Sequence, residues 1–252
     1  MFEKLLWIHV FAPSCVCIVI HYCDWRTAQK ADYINEFNIG MTNLGSKTPQ
    51  GQQLVNQAVQ RGHQVTVMVR PSSKKEFPAG VKVIKGEVSD EQVVAQAVQG
   101  QEAVLIGLGH ILPNLFPWSQ PKEYLADALN GVVAAMQKTG VKKISFVSAA
   151  GVGESWNHIP FGMKFFIQAS ALRHVFPLMN KAEDVIIQSG LDYQINHPMI
   201  LTDKPLSSKK AQIVQDASGF NLISRADVAE FMLDQVEKPE FSEKYPIILS
   251  GA

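Results

Sequence analysis

The stretch that decides the fold runs from Leu44 to Arg70 and reads LGSKTPQGQQLVNQAVQRGHQVTVMVR. A turn with two glycines leads into the segment Gln52 to Arg61, whose apolar residues recur at helical spacing. Gly62 ends this helix because glycine adopts the left-handed C′ conformation without steric cost. Val65 to Val69 follows as an apolar, β-branched run, typical of a buried strand. The order of turn, helix and strand predicts the start of a nucleotide-binding βαβ unit.

The residue after the second strand indicates which dinucleotide this unit binds. NAD-binding units keep an acidic side chain there for the ribose 2′-hydroxyl. This chain has Arg70 at that point, at the start of a loop that also contains Lys74. A guanidinium pairs with a 2′-phosphate, which a carboxylate would repel, so the sequence predicts NADPH as the cofactor. The alternative is that Arg70 is a solvated residue at the end of a strand.

The turn itself departs from the glycine-rich consensus. In a G-x-x-G-x-x-G pattern that begins at Gly45, Thr48 occupies the place of the second glycine and Gly51 that of the third. A Cβ at the second position crowds the approach of the backbone to the pyrophosphate, which predicts a weakened affinity. Pro49 is harmless because the first helical position needs no N–H.

Charge and cysteine content argue against two classes of partner. Lys and Arg number 23 and Asp and Glu also 23, so no net charge attracts a nucleic acid. The three cysteines, Cys15, Cys17 and Cys23, fit neither a zinc site nor a disulfide framework. We therefore predict no metal site and a reducing, cytoplasmic location.

The first 36 residues differ from the rest. Leu5 to Ile20 is strongly apolar, but it contains Pro13 and is short for a membrane span of about 20 residues. It is either a signal-like or anchoring segment, which would bring the protein to a membrane surface, or a leader without a structural role. The predicted division is residues 1–36 as an extension (leader, anchor or disordered) and residues 37–252 as one NAD(P)-binding domain. Phe37 to Leu44 is its first strand, although a poor one.

Strands and helices alternate through the remainder. Further strands are predicted over 81–85, 103–108, 143–147, 193–196 and 246–250, and helices over 91–98, 122–139, 178–189 and 227–236. This alternation predicts an α/β fold, a Rossmann-like doubly wound parallel sheet with helices on both faces. Ligands bind such sheets at the carboxyl ends of the strands, where Gly109 and Ser148 lie.

Several strings from Gly45 to the C-terminus recur in a known order and spacing. They are AVQRG with VTVMVR at 58–70, KGEV at 85–88, GQEAV at 100–104, GLG at 107–109, VVAAM with GVKK at 132–143, SGLDY at 189–193, His197-Pro198, ISRAD at 223–227 and FML at 231–233. Together they resemble the atypical short-chain dehydrogenase/reductase group, in particular NmrA-like proteins and biliverdin-IXβ (flavin) reductases. The resemblance implies an NADPH-dependent reductase that passes hydride to a planar acceptor, a flavin or a tetrapyrrole.

The resemblance also implies the contacts of each residue with the cofactor. The pyrophosphate would contact the turn and the helix start at Gly45, Ser46, Thr48, Gln50 and Gly51, and the 2′-phosphate would contact Arg70 and Lys74. The adenine would lie between Glu87 and Val88, and the ribose side would contact Leu108 and Gly109. The nicotinamide region would contact Ser148, Pro198, Met199 and Ile200. Ser148 is the candidate catalytic residue. It could donate a hydrogen bond to a substrate carbonyl or to the carboxamide, or it could merely end the strand.

Two departures from the group limit the chemistry. None of the five tyrosines has a lysine four residues on, so the Tyr-x-x-x-Lys acid of ordinary alcohol–ketone chemistry is missing. In the biliverdin reductase pattern, a serine follows the fifth strand and a histidine follows the sixth-strand proline. Ala149 and Ile200 hold those positions here, with Ser148 and His197 displaced nearby, so flavin reduction, which needs less from the protein, fits this sequence better than bilin reduction. His197 is either a structural imidazole or an acid.

Three functional hypotheses therefore stay open. The chain is an NADPH-dependent oxidoreductase, a non-catalytic NmrA-like dinucleotide sensor that acts through a protein partner, or a degraded paralogue that binds nothing. The expected partner of the first is a small planar acceptor, and the expected state is a monomer or homodimer. Aromatic residues beside the loops after the fourth and fifth strands could sandwich an isoalloxazine ring, or form core or a dimer contact; they are Trp118, Trp156, Phe161, Phe165 and Phe166. Residues 163–174 could form a lid, a packed helix or a partner surface.

Overall fold

The computed structural model describes residues 15–20, 37–44, 49–107, 115–119, 121 and 123–251, with side chains from residue 50 onward. The strands are β1 Cys15–Ile20, β2 Phe37–Leu44, β3 His63–Gln64, β4 Thr66–Val69, β5 Lys82–Lys85, β6 Ala103–Ile106, β7 Lys143–Val147, β8 Asp192–Pro198, β9 Ile200–Thr202, β10 Gln212–Val214, β11 Leu222–Ser224 and β12 Ile247–Leu249. The helices are α1 Pro49–Gln60, α2 Glu91–Val98, α3 Leu125–Thr139, α4 Phe161–Ala169, α5 Leu172–Ile187 and α6 Arg225–Val236, with a 3₁₀ helix at Gly153–His158.

Parallel pairs dominate the sheet of the described chain. β4 pairs with β5, β6 with β7, β7 with β8, β8 with β12 and β2 with β3, all in parallel. β1 runs antiparallel to β2, β4 and β6, and β10 runs antiparallel to β12 at one edge. The short strands β9 and β11 pair in parallel as a separate ribbon.

Hydrophobic cores lie on both faces of this sheet. On one face, Ile106 and Phe146 pack with residues of α2, α3 and α5. On the other, Leu105 and Val147 pack with residues of α1 and α6. Neighbouring residues of a strand point to opposite faces, so strands with helices on both sides are buried along their whole length. The predicted Rossmann-like fold is thereby confirmed.

Most predicted elements are present, with shifted ends. α2 and β7 have the predicted bounds, whereas α5 starts at Leu172, six residues before the predicted start at 178. Pro177 lies inside this helix, where its missing N–H removes one hydrogen bond, and the prediction had begun the helix after it. Residues 163–174 form most of α4 and the beginning of α5, so the packed-helix alternative describes them.

The N-terminal segment contributes a strand that its predicted role did not include. β1 lies between β6 and β2 in the sheet and also pairs with β4, and its sequence CVCIVI has the apolar, β-branched composition that sheets favour. Phe37–Leu44 is a strand, β2, as predicted. The rest of residues 1–36 lies outside the described residues, so the division at residue 36 stays a prediction. None of the described helices combines the length and the apolar character that crossing a membrane requires.

Candidate nicotinamide dinucleotide site

The carboxyl ends of β7 and β8 bring the predicted nicotinamide residues together. The Ser148 amide donates to the Asn196 carbonyl at 2.8 Å, and the Ala150 amide donates to the Pro198 carbonyl at 3.0 Å. The loop after β7 is therefore held against the end of β8, where Met199 is buried. Ile200 starts β9 and is 37% exposed, so it lies at the rim of this group.

The start of α1 has the character of an anion site. Gln50 and Gly51 lie in its first turn, which contains no acidic residue. The free N–H groups and the dipole of a helix N-terminus favour a negatively charged ligand there. Gln50 is 3% exposed, and neither atom of its side-chain amide has a hydrogen-bond partner within the described chain. A buried amide without partners is suited to contact a polar ligand such as a pyrophosphate.

Part of the predicted contact set belongs to segments that the structure does not describe. Gly45, Ser46 and Thr48, which were predicted to meet the pyrophosphate, lie outside the described residues, as do Leu108 and Gly109 on the predicted ribose side. Their roles stay predictions.

Arg70 and Lys74 lie together in the loop that follows β4. Both side chains are exposed, and the Ser73 amide donates to the Arg70 carbonyl at 2.9 Å, which closes the loop into a turn. Among the ion pairs of the described residues, neither cation takes part. Lys75 differs because its ammonium lies 5.8 Å from the centre of the Phe77 ring and burial lowers its pKa. Two exposed cations thus lie at the carboxyl end of β4.

Glu87 and Val88, predicted to flank the adenine, follow β5. Glu87 is exposed, and Val88 packs at the margin of the core. The preceding Gly86 lies so close to α2 that a Cβ on it would be 2.4 Å from Cγ1 of Val93. The loop therefore packs closely on α2 at Gly86, while Glu87 faces solvent.

A buried carboxylate, Glu183, lies directly behind Ser148. The Ser148 hydroxyl donates to Oε1 of Glu183, and Nε2 of His197 lies 3.1 Å from the same oxygen. Glu183 is 1% exposed, His197 0% and Ser148 5%. His197 is therefore bound within a polar cluster rather than free at the surface.

The helical pattern of α5 contains a sequence signal for Glu183. On α5, Glu183 lies four residues after Met179 and three before Ile186, both of which are buried. An acid at such a place falls on the apolar face of an amphipathic helix. A charged residue on that face marks a buried polar contact, which the prediction did not use.

The aromatic residues near this edge lie mostly in solvent. Trp118, Phe161, Phe165 and Phe166 are between 43% and 83% exposed. Trp118 stacks on Phe116 with ring centres 4.9 Å apart and planes 2° from parallel. Trp156 is half-buried against the core, with the Lys164 ammonium 5.7 Å from its ring centre. Flat aromatic surfaces thus face solvent on the side of α4.

A cavity of about 460 Å³ opens beside the 3₁₀ helix. Its walls include His158, Val214 and Tyr245. Nδ1 of His158 lies 2.9 Å from Oδ1 of Asp216, which ties the 3₁₀ helix to the segment after β10. The hydroxyls of Tyr245 and Tyr193 are 2.6 Å apart, and burial together with this hydrogen bond raises the pKa of Tyr245. No sequence motif predicted this cavity.

The chain is similar in sequence to a curated protein. The chain is 25% identical over 216 residues to the photosystem II assembly factor Ycf39 of Trieres chinensis, an alignment that covers 82% of this chain and 62% of that protein. The chain thus spans less than two thirds of the length of this curated relative.

Solved structures share the fold. ChuY, an anaerobilin reductase from Escherichia coli O157:H7, is 21% identical with a TM-score of 0.64, covering 82% of this chain and 95% of that one. A short-chain dehydrogenase/reductase of Veillonella parvula in complex with NADP is 18% identical with a TM-score of 0.66, and the match covers 83% of this chain and 93% of that one. A Rossmann-fold NAD(P)-binding family protein from Shigella flexneri is 26% identical with a TM-score of 0.55, covering 83% and 92%.

A family match covers most of the chain, from residue 45 to residue 239, and therefore includes the start of α1, Arg70 and the ends of β7 and β8. It agrees with the predicted resemblance to atypical short-chain dehydrogenases/reductases. The chain belongs to the NAD(P)H-binding family of Rossmann-fold proteins.

Proposed function

We propose that this protein is an NADPH-dependent oxidoreductase that transfers hydride to a planar acceptor such as a flavin or a tetrapyrrole. The observation that carries the proposal is the pair of exposed cations, Arg70 and Lys74, at the carboxyl end of β4. A guanidinium and an ammonium together match the charge of a 2′-phosphate, which NADH lacks. The shared fold with a reductase and with a protein crystallised with NADP supports this assignment.

The bound cofactor supplies the hydride from its reduced nicotinamide ring. Gln50 and the start of α1 hold the diphosphate, since the helix N-terminus favours an anion and the buried amide needs partners. Arg70 and Lys74 hold the 2′-phosphate. Ser148, Pro198 and Met199 border the nicotinamide, because the loop after β7 and the end of β8 are hydrogen-bonded to each other.

The exposed aromatic rings support a planar acceptor. Stacking favours flat ligands, and the parallel Phe116–Trp118 pair offers a flat face in the segment between β6 and α3. The Ala171 amide donates to the Leu115 carbonyl at 3.2 Å, which docks this pair onto the junction of α4 and α5. With no Tyr-x-x-x-Lys acid in the sequence, the proton comes from solvent.

Steady-state loss of NADPH absorbance with flavin, quinone and bilin acceptors tests the proposal. We expect turnover with at least one flavin or tetrapyrrole, and slower turnover when NADH replaces NADPH. Tight NADPH binding without turnover of any acceptor would overturn the catalytic assignment. It would favour the hypothesis of a non-catalytic dinucleotide sensor. Two observations also suit that hypothesis: the Tyr-x-x-x-Lys acid is missing, and the Ser148 hydroxyl is hydrogen-bonded to Glu183.

A further inference from the structure

Glu183 is a carboxylate buried inside the fold. Its carboxylate is 1% exposed and lies at the buried face of α5, among residues of the hydrophobic core. Burying a carboxylate costs free energy that hydrogen bonds only partly offset, and apolar residues of similar volume often serve stability equally well. The contacts of Glu183, rather than its burial, therefore point to its use.

Those contacts set the direction of the Ser148 hydroxyl. The Ser148 hydroxyl donates to Oε1 of Glu183, so its single proton points to the carboxyl group. The lone pairs of the serine oxygen are left for the ligand side. Ser148 is thus a hydrogen-bond acceptor toward the cofactor, not a donor.

His197 completes the arrangement. Its Nε2 lies 3.1 Å from the same carboxylate oxygen, so this nitrogen carries the proton of the second hydrogen bond. Its Nδ1 has no hydrogen-bond partner within the described chain. The two donors on one oxygen hold the carboxylate in place from both β7 and β8.

The backbone confines the carboxylate from a third side. Gly153 has φ +49°, and a Cβ on it would lie 2.3 Å from Oε2 of Glu183 and 3.1 Å from Oδ1 of Asn180. The start of the 3₁₀ helix thus packs directly on the Glu183 carboxylate, and no space for a side chain is left between them.

We propose that Glu183, with His197, is a positioning residue that keeps Ser148 as an acceptor for the carboxamide NH₂ of the nicotinamide. The inference rests on the proposed NADPH binding. It adds which residues orient the nicotinamide ring. It also means that Ser148 is not the acid that protonates the acceptor, because its proton is held by Glu183.

A set of variants at Ser148 and Glu183 tests this inference by NADPH affinity, measured by cofactor fluorescence. We expect S148A and E183M each to weaken binding by roughly three- to thirtyfold, the effect of one lost hydrogen bond. The double variant should bind no more weakly than either single variant, because both changes remove the same interaction. E183Q should restore most of the affinity, since its amide oxygen still accepts from Ser148.

The control is D184N, a neutralised carboxylate exposed on the same helix, which should bind NADPH as the wild type does. Melting temperatures of the same variants separate a positioning role from a structural one. If Glu183 were purely structural, the loss of NADPH affinity in each variant would follow its loss of stability. Additive losses in the double variant, or E183M within twofold of the wild type, would overturn the inference. If E183M does not fold, the NADPH affinities of S148A and E183Q test the inference instead. It is contradicted if S148A binds NADPH as tightly as the wild type, or if E183Q loses as much affinity as S148A does.

These outcomes are distinct from failure of the proposed function. A wild-type protein that binds no NADPH would overturn the cofactor assignment itself. A wild-type protein that binds NADPH while S148A binds it equally well would overturn only the role of Ser148 and Glu183.

Discussion

Gly153 lies against Glu183 so closely that a Cβ on the glycine would fall 2.3 Å from Oε2 of the carboxylate. The contact joins the turn after β7 to the buried face of α5. Since Glu183 also receives the Ser148 hydroxyl, a side chain at residue 153 would disturb the candidate nicotinamide region through the carboxylate.

We expect G153A to lower the free energy of unfolding by about 2 kcal/mol, from the left-handed backbone and the steric conflict together. Urea denaturation measures the loss. The matched control is G190A, because Gly190 has φ +72° but no atom within 4 Å of a Cβ there. G190A should therefore cost only the backbone part, about 1 kcal/mol. Equal losses in the two variants would contradict the close packing of Gly153 on Glu183.

The ion cluster that joins the segment after α1 to the end of α6 should make stability depend on pH. Nη1 of Arg61 lies 3.0 Å and Nε2 of His63 2.8 Å from Oε1 of Glu237. Burial raises the pKa of Glu237, but the hydrogen bonds from His63 and Arg61 outweigh it and lower this pKa below the ordinary 4.5. A lowered folded-state pKa stabilises the protein above pH 4.5, and that contribution is lost as the pH falls through the folded value.

We expect E237Q to remove this part of the acid sensitivity. Glu237 is 34% exposed, so solvent screening limits the effect to less than about 1 kcal/mol. Urea denaturation at pH 7 and at pH 4 compares E237Q with the wild type and with E76Q, a change at an exposed carboxylate. The prediction fails if E237Q and E76Q lose the same stability between the two pH values.

Arg70 should determine the preference for NADPH over NADH. We expect R70A to weaken NADPH binding by roughly ten- to a hundredfold and to leave NADH binding unchanged, since only NADPH carries the 2′-phosphate. Fluorescence titration with each cofactor measures both affinities. K138A, which removes a charge near the end of α3, controls for net charge. Equal weakening of both cofactors by R70A would show a general electrostatic effect instead of recognition of the phosphate.

Trp118 should contribute to binding of the acceptor without contributing to stability. The ring is 72% exposed and stacks on Phe116, so W118A should leave the melting temperature close to that of the wild type. We expect KM for the acceptor to rise roughly three- to tenfold from the lost stacking. I187A, at an exposed apolar residue where α5 ends, is the control. An unchanged KM in W118A would remove this aromatic surface from the acceptor site.

Sequence periodicity located the elements that the sheet buries on both faces. β6 and β7 are continuous apolar runs, and such runs are typical of strands covered on both sides. β1 escaped prediction because its apolar run belongs to a segment that resembles a leader as much as a strand. Local pattern does not reveal which distant strands a segment joins.

The candidate site was predictable only where a motif names a residue. Ser148 and Arg70 follow strands, and a strand end marks the ligand side of a parallel sheet. Glu183 is 35 residues from Ser148 and on another element, so only the packing of α5 on β7 and β8 brings them together. The same holds for Tyr193 and Tyr245, whose hydroxyls meet across 52 residues.

Calorimetric titration of the purified wild-type protein with NADPH and with NADH tests the central claim most directly. The account predicts that NADPH binds at one site per chain, at least tenfold more tightly than NADH, with the difference shrinking as salt screens the 2′-phosphate. Equal affinity for the two cofactors, or no binding of NADPH, would contradict the account.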